Sequence, residues 1–329
     1  MRSMPWKQLF ISLGVAGVIV RRVPFAGLRE AYRNLEMRSL FLAFFCLIVL
    51  HALRAYKWHR LMTAAGKSHV RQSLRTLFGG FALGLITPGR LGELGRCAFV
   101  RREERAQVAV LTVFDRLLDF WALLTAMSAS LFLLAPRPAA IFGIAVWLAL
   151  LPVVMGFPAL VSHLSALAKK SRRFRGHFVE AAGMPMVETP RFALLAAGAM
   201  WAEMASFYFL LRAFFPTELS TTLATYPYIV LAGDLPLSFS GVGVREGAAA
   251  LLLAPYAVPT TAAVDASLMW FVFGVLLPAI VGVGWLVADR LKSQVRRWQS
   301  AAAGAPTTWA PVAVSSPADS LRPEIAAPQ

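Results

Sequence analysis

Thr87-Pro88-Gly89-Arg90-Leu91-Gly92-Glu93-Leu94-Gly95-Arg96 interrupts an apolar run and decides how this chain is read. The segment before it, Leu77 to Ile86, is apolar but too short to cross a bilayer, which takes about 20 residues. Pro88 and Gly89 stop that segment, and Leu91 to Val100 leads back toward Arg101-Arg102-Glu103-Glu104-Arg105. Lys67, Arg71 and Arg75 precede the hairpin. Charged loops on both sides of it predict a re-entrant segment that enters and leaves on the cytoplasmic face. Irregular backbone at membrane depth is tolerated only where protein or a wet cavity surrounds it. A later break, Ser240-Gly241-Val242-Gly243-Val244-Arg245-Glu246-Gly247, follows the same recipe of glycines, arginine and glutamate.

The rest of the chain fits a membrane setting. Of 329 residues, 58% are hydrophobic, and the mean hydropathy is +0.62, more apolar than a soluble domain of this size requires. The class is an all-α polytopic membrane protein; no ten-residue alternation suggests a β-barrel. The net charge of +16 would suit nucleic acid in a soluble protein. Here the basic residues flank apolar runs, as cytoplasmic loops do, and no nucleic-acid partner is expected. The two cysteines, Cys46 and Cys97, lack metal or redox spacing and read as buried free thiols.

In order, Leu9 to Val20 reads as an uncleaved first span, with Arg21-Arg22 where a cleavage site would stand. Phe25 to Met37 is amphipathic and suits the interface plane or a connecting helix. Together these make a leading part, residues 1–38. Ser39 to Ala55 is the second span, closed by the cations and aromatics of Arg54 to Arg60, a pattern of membrane boundaries. Val108 to Leu134, Ile141 to Leu160, Phe192 to Phe214 and Ala266 to Ala288 complete about six spans. The transmembrane domain is 39–290, and 291–329 is a basic and then disordered tail. Lys169 to Arg175 reads as a cytoplasmic loop, so both termini are expected inside. Arg21, Arg22, Arg29, Arg33 and Arg38 run against that bias. On this count the second hairpin, from Tyr226 through Leu237 to Leu253, enters from the outer side. Two oppositely oriented re-entrant hairpins suggest an inverted repeat.

The charged residues at depth are the candidate site: Arg90, Glu93, Arg96, Asp115, Arg116, Asp119, Arg245 and Glu246. The backbone turns are Pro88, Gly89, Gly92, Gly241 and Gly243. A charge at bilayer depth costs at least about 2.5 kcal/mol and marks function by default. Glu93 lies three residues from both Arg90 and Arg96, so it can pair with either. One carboxylate between two guanidiniums leaves positive charge suited to a phosphate. Helix N-termini after the turns would add N–H donors. The alternative is that these charges only pair with one another and pin the hairpins. Asp115 and Asp119 share a helix face and either complete the network or form a packing salt bridge. Glu203 reads as a hydrogen-bonded core carboxyl, and Asp234 and Asp265 as solvated. The five histidines show no HExxH, and no GxSxG, P-loop or GxGxxG is present. No metal or other cofactor is expected.

Arg54 to Trp58, the Thr87–Glu93 turn, Asp115-Arg116-Leu117-Leu118-Asp119 and Gly241 to Gly247 occur in an order that resembles the lysylphosphatidylglycerol synthase transmembrane-region family. This covers about Leu40 to Ala288. The family resembles the flippase half of the bacterial multiple peptide resistance factor and includes stand-alone membrane proteins. The resemblance implies lipid translocation, with the glycine turns and their Arg and Glu residues at the core. It does not imply aminoacyl transfer, which belongs to a large soluble C-terminal domain, whereas a short tail follows Arg290. The chain departs at Asp115, where the family often has Glu, and at Phe239-Ser240, where a Gly pair is common. The expectation is a flippase or transporter of an anionic or phosphate-bearing lipid in a bacterial inner membrane. Arg90, Arg96, Arg116 and Arg245 would contact the head group, with Glu93, Asp119 and Glu246 holding them. The alternatives are an enzyme that modifies a lipid head group at the same cavity, or a scaffold for lipid-synthesis enzymes.

Overall fold

The computed structural model describes residues 35–64, 66, 69–88, 90–134, 137–170, 188–238, 240–285, 287–288 and 291. The expected first span, nearly all of the amphipathic segment, the basic loop beyond Lys170, Gly89, Phe239 and the tail lie outside the described residues. All elements below belong to one unit ending at Leu286.

Helix α1 spans Met37–Ala64. Its buried positions Ala43, Leu47, Leu50, Lys57 and Leu61 form a stripe at helical spacing, while Phe41, Phe45 and Ile48 are 70%, 63% and 68% exposed. A helix in water would put polar side chains on that outer face; here Phe41, Phe45 and Ile48 make it apolar, as in a span that faces lipid. The stretch Arg54 to Arg60, expected to mark a membrane boundary, does not end the helix. The helix runs on through it, and Lys57 and Trp58 are buried, because both fall on the inward stripe. The chain next forms α2, Val70–Leu85, and doubles back as a 3-10 helix, Leu91–Phe99. With three residues per turn, Glu93, Arg96 and Phe99 stack on one face. A Cβ on Gly84, Gly80 or Gly79 of α2 would strike those three side chains in turn. The glycines of α2 are therefore the groove that receives the returning limb.

Helix α3 is Arg105–Leu134 and α4 is Arg137–Lys170. They run antiparallel, tied by stacked Phe114 and Phe157 and by Trp147 Nε1 donating to Thr125 Oγ1 at 2.8 Å. Helix α5, Thr189–Phe214, packs most extensively against α1, with Gly198 facing Leu53. The second hairpin is α6, Leu219–Asp234, a turn, and α7, Val244–Leu253. Helix α8, Thr260–Phe271, continues through a π turn, Val272–Leu276, to Trp285.

Four helices among the described residues are long and apolar enough to cross a membrane: Met37–Ala64, Arg137–His163, Thr189–Phe214 and Thr260–Trp285. They contain three of the expected spans and overlap the fourth, Ala266 to Ala288, which starts earlier, at Thr260. The span expected at Val108 to Leu134 falls in the helix α3, 30 residues long, which is not one of these four and whose first half carries Asp115, Arg116 and Asp119. Cys46 and Cys97 are free but half-buried rather than buried. Asp265, expected in solvent, is 6% exposed, because it lies on the inner stripe of α8 with Ala262, Ala266 and Met269.

Candidate functional site

The first turn is closed by its own side chain. Thr87 Oγ1 accepts the Gly92 N–H at 2.6 Å and donates to Leu83 O at 3.1 Å. Arg90 adopts a left-handed backbone, φ 57°, which turns the chain back on itself. Gly92 has no alternative, since a Cβ there would lie 2.2 Å from Leu83 O. In the second turn Gly241 has φ +78°, and a Cβ on it would lie 2.4 Å from Gly233 O. The turns touch: Ser240 N–H donates to Thr87 O at 3.2 Å.

Several of the amides expected to be open to an anion are engaged within the turns. Gly92 N–H is taken by Thr87 and Glu93 N–H by Arg90 O. In the second hairpin Gly243 N–H donates to the Glu246 carboxylate, which also accepts Ser267 Oγ–H at 3.3 Å. Glu246 thus caps α7 and does not hold Arg245. Pro88 and Gly243 shape the turns, the latter at φ +85°.

Behind the first turn lies a buried ion-pair network. Glu93, 1% exposed, meets Arg90 at 2.6 Å, Arg116 at 3.2 Å and Arg96 at 3.4 Å. Asp115 meets Arg96 at 2.7 Å and Lys57 at 2.9 Å. Asp119 pairs with Lys57 and, at 2.9 Å, with Arg116. Six of the eight expected side chains therefore belong to one cluster drawn from the 3-10 helix, the preceding turn and α3. Arg96 is fully enclosed, with its guanidinium 4.5 Å from the Trp58 ring centre, and Trp58 Nε1 donates to Thr76 Oγ1 at 2.8 Å. Arg245 stands apart. It lies over Trp270, also at 4.5 Å, and no carboxylate pairs with it among the described residues.

A cavity of about 330 Å³ opens between these groups. Arg54, Arg90, Arg116, Asp119, Glu203, Asp234 and Arg245 line it, with Leu91, Leu94, Phe120 and Leu123 on the apolar side. Arg96, Asp115 and Glu246 do not reach this wall; they hold residues that do or shape the second turn. Sequence reasoning missed two contributors. Lys57 and Arg54 sit in a stretch that reads as interfacial, and only the helical stripe could have turned them inward. Arg54 pairs with Glu203 at 2.6 Å, and Tyr226 O–H donates to Glu203 at 3.2 Å. Glu203 is the hydrogen-bonded buried carboxyl expected, and it faces the cavity as well. Among the described residues no His, Cys, Asp or Glu group is arranged to hold a metal ion.

Helices with exposed apolar surfaces around a charged interior, four of them long and apolar enough to cross a membrane, define an all-helical membrane protein. The chain matches the family described as lysylphosphatidylglycerol synthase TM region over residues 6–282 and belongs to that family. The match is to the transmembrane region, with no catalytic domain in it, and it is compatible with a lipid-related role in a membrane. Neither a curated protein nor a solved structure matches the chain.

Proposed function

We propose that the chain is a lipid flippase or transporter of a bacterial inner membrane, multi-pass with both termini cytoplasmic, acting on an anionic or phosphate-bearing lipid. The observation that carries this reading is the contact of the two turns, Ser240 to Thr87, beside a cavity walled by four arginines. In the proposed arrangement the two hairpins are re-entrant from opposite faces. Their likeness is chemical: each clamps an arginine between a glycine of its first limb, Gly80 or Gly233, and a tryptophan. The tryptophans come from opposite flanks, Trp58 before its hairpin and Trp270 after, so the inverted repeat is one of turns and arginines rather than of whole units.

The cavity is polar at its centre and apolar along Leu91, Leu94 and Phe120, which are themselves partly exposed. A head group would sit among the charges while its chains remain in lipid between those side chains. Arg90, Arg116 and Arg245 face the head group; Glu93 and Asp119 hold the first two, and Arg96 braces Glu93 from behind.

In proteoliposomes with labelled phosphatidylglycerol, Arg90→Ala and Arg245→Ala should slow translocation by roughly tenfold or more, as expected for loss of a charge-assisted contact. Undiminished rates in both would remove the proposed roles. Chemically altered lipid in the same assay would favour head-group modification instead.

A further inference from the structure

Building on the transport reading, we propose that the cavity takes a lipid bearing one phosphate group, not a diphosphate, and that Arg245 is its primary ligand. The other wall arginines are already engaged. Arg54 is held by Glu203 at 2.6 Å, Arg90 by Glu93 at 2.6 Å and Arg116 by Asp119 at 2.9 Å. Arg245 is 2% exposed, yet its Nε and Nη1 have no hydrogen-bond partner among the described residues.

A buried guanidinium without an acid carries a large desolvation penalty. Trp270 offsets part of it through its ring face, but a ring satisfies no N–H donor. The neighbouring acid, Glu246, cannot help, because Gly243 and Ser267 occupy its carboxylate. The side chain is also fixed in place. A Cβ on Gly233 would lie 2.7 Å from Arg245 Nε, so the guanidinium is wedged between α6 and Trp270 and cannot swing out to find another partner. Ser238 and Ser240 add to the same turn two buried hydroxyls with no partner among the described residues. A phosphate oxygen at the cavity edge would give this guanidinium the charged acceptor it lacks.

Charge sets the number of phosphates. The wall carries Arg54, Arg90, Arg116 and Arg245 against Asp119, Glu203 and Asp234. Of these four cations only Arg245 has no acid among the described residues; of the acids the exposed Asp234 faces water. A single phosphate meets one free cation. A diphosphate would have to pull a second arginine from its carboxylate and leave that carboxylate buried and alone.

The test is equilibrium binding to the purified full-length chain in detergent, read by tryptophan fluorescence and native mass spectrometry. The probes are phosphatidylglycerol, a polyprenyl diphosphate and inorganic phosphate. Arg245→Gln should weaken phosphatidylglycerol binding about tenfold or more, and Arg245→Lys by less, because an ammonium keeps the charge but not the fork. Arg245→Lys also serves if Arg245→Gln does not yield folded protein. Unchanged affinity in either folded variant, tighter binding of the diphosphate, or equal binding of free phosphate would overturn the assignment. Loss of binding at Arg245 in a protein that moves no lipid would leave the phosphate site standing and remove transport.

Discussion

Asp115→Ala should lower the stability of the folded protein by about 3–5 kcal/mol, the range for removing one partner from a buried ion pair. Asp115 is 2% exposed and is the one carboxylate shared by Lys57 and Arg96, themselves 1% and 0% exposed. Without it Lys57 keeps Asp119, but Arg96 retains only Glu93 at 3.4 Å. Glu93 already serves Arg90 and Arg116, so one acid would face three guanidiniums. Lys57→Met should destabilise as well, because Asp115 and Asp119, four residues apart on one helix face, lose the cation they share and keep only Arg96 and Arg116. The double variant Lys57→Met/Asp115→Ala removes a charge of each sign. Its loss should therefore fall short of the summed single losses by more than about 1 kcal/mol, as contacting residues do. Thermal unfolding in detergent, followed through tryptophan fluorescence, measures all three. Additive losses would show that Lys57 and Asp115 do not act as a pair.

That pair also shows what the sequence could and could not disclose. Pro88 and the glycines marked the first turn, because few other residues stop an apolar run in that way. The spacing of Arg90, Glu93 and Arg96 foretold their pairing, and the 3-10 geometry strengthened it by bringing residues three apart into line. Lys57 and Trp58 stayed hidden because cation-plus-aromatic is also the signature of a lipid interface. Which of the two applies depends on which helix face they occupy, and here that is decided by the packing of α1 against α5. Glu203 could be placed in a core but not assigned Arg54, because nothing local joins residues 149 apart in sequence. The amide donors were misjudged for a similar reason. A glycine before a helix looks like an open anion nest until Thr87 and Glu246 are seen to fill it.

Gly92→Ala should be among the most damaging single-methyl changes in the chain. The added Cβ would lie 2.2 Å from Leu83 O and 2.6 Å from Thr87 Oγ1, and a backbone carbonyl cannot rotate away as a flexible side chain would. The 3-10 limb would have to lift from α2, drawing Glu93 and Arg96 from the groove made by Gly84 and Gly80. Gly241→Ala carries a double burden. Its φ of +78° costs an L residue about 1–2 kcal/mol, and the methyl would meet Gly233 O at 2.4 Å. Both variants should lose folded protein on size exclusion, and any folded remainder should translocate lipid poorly, since Thr87 and Ser240 join the two turns. Gly247→Ala is the contrast. It lies in α7, and a methyl there would have nothing within 4 Å, so it should be neutral or stabilising by about 0.4–1 kcal/mol. Equal behaviour of Gly92→Ala and Gly247→Ala would mean that the first turn is not packed against α2. The arginines would then have no rigid wall from which to meet a head group.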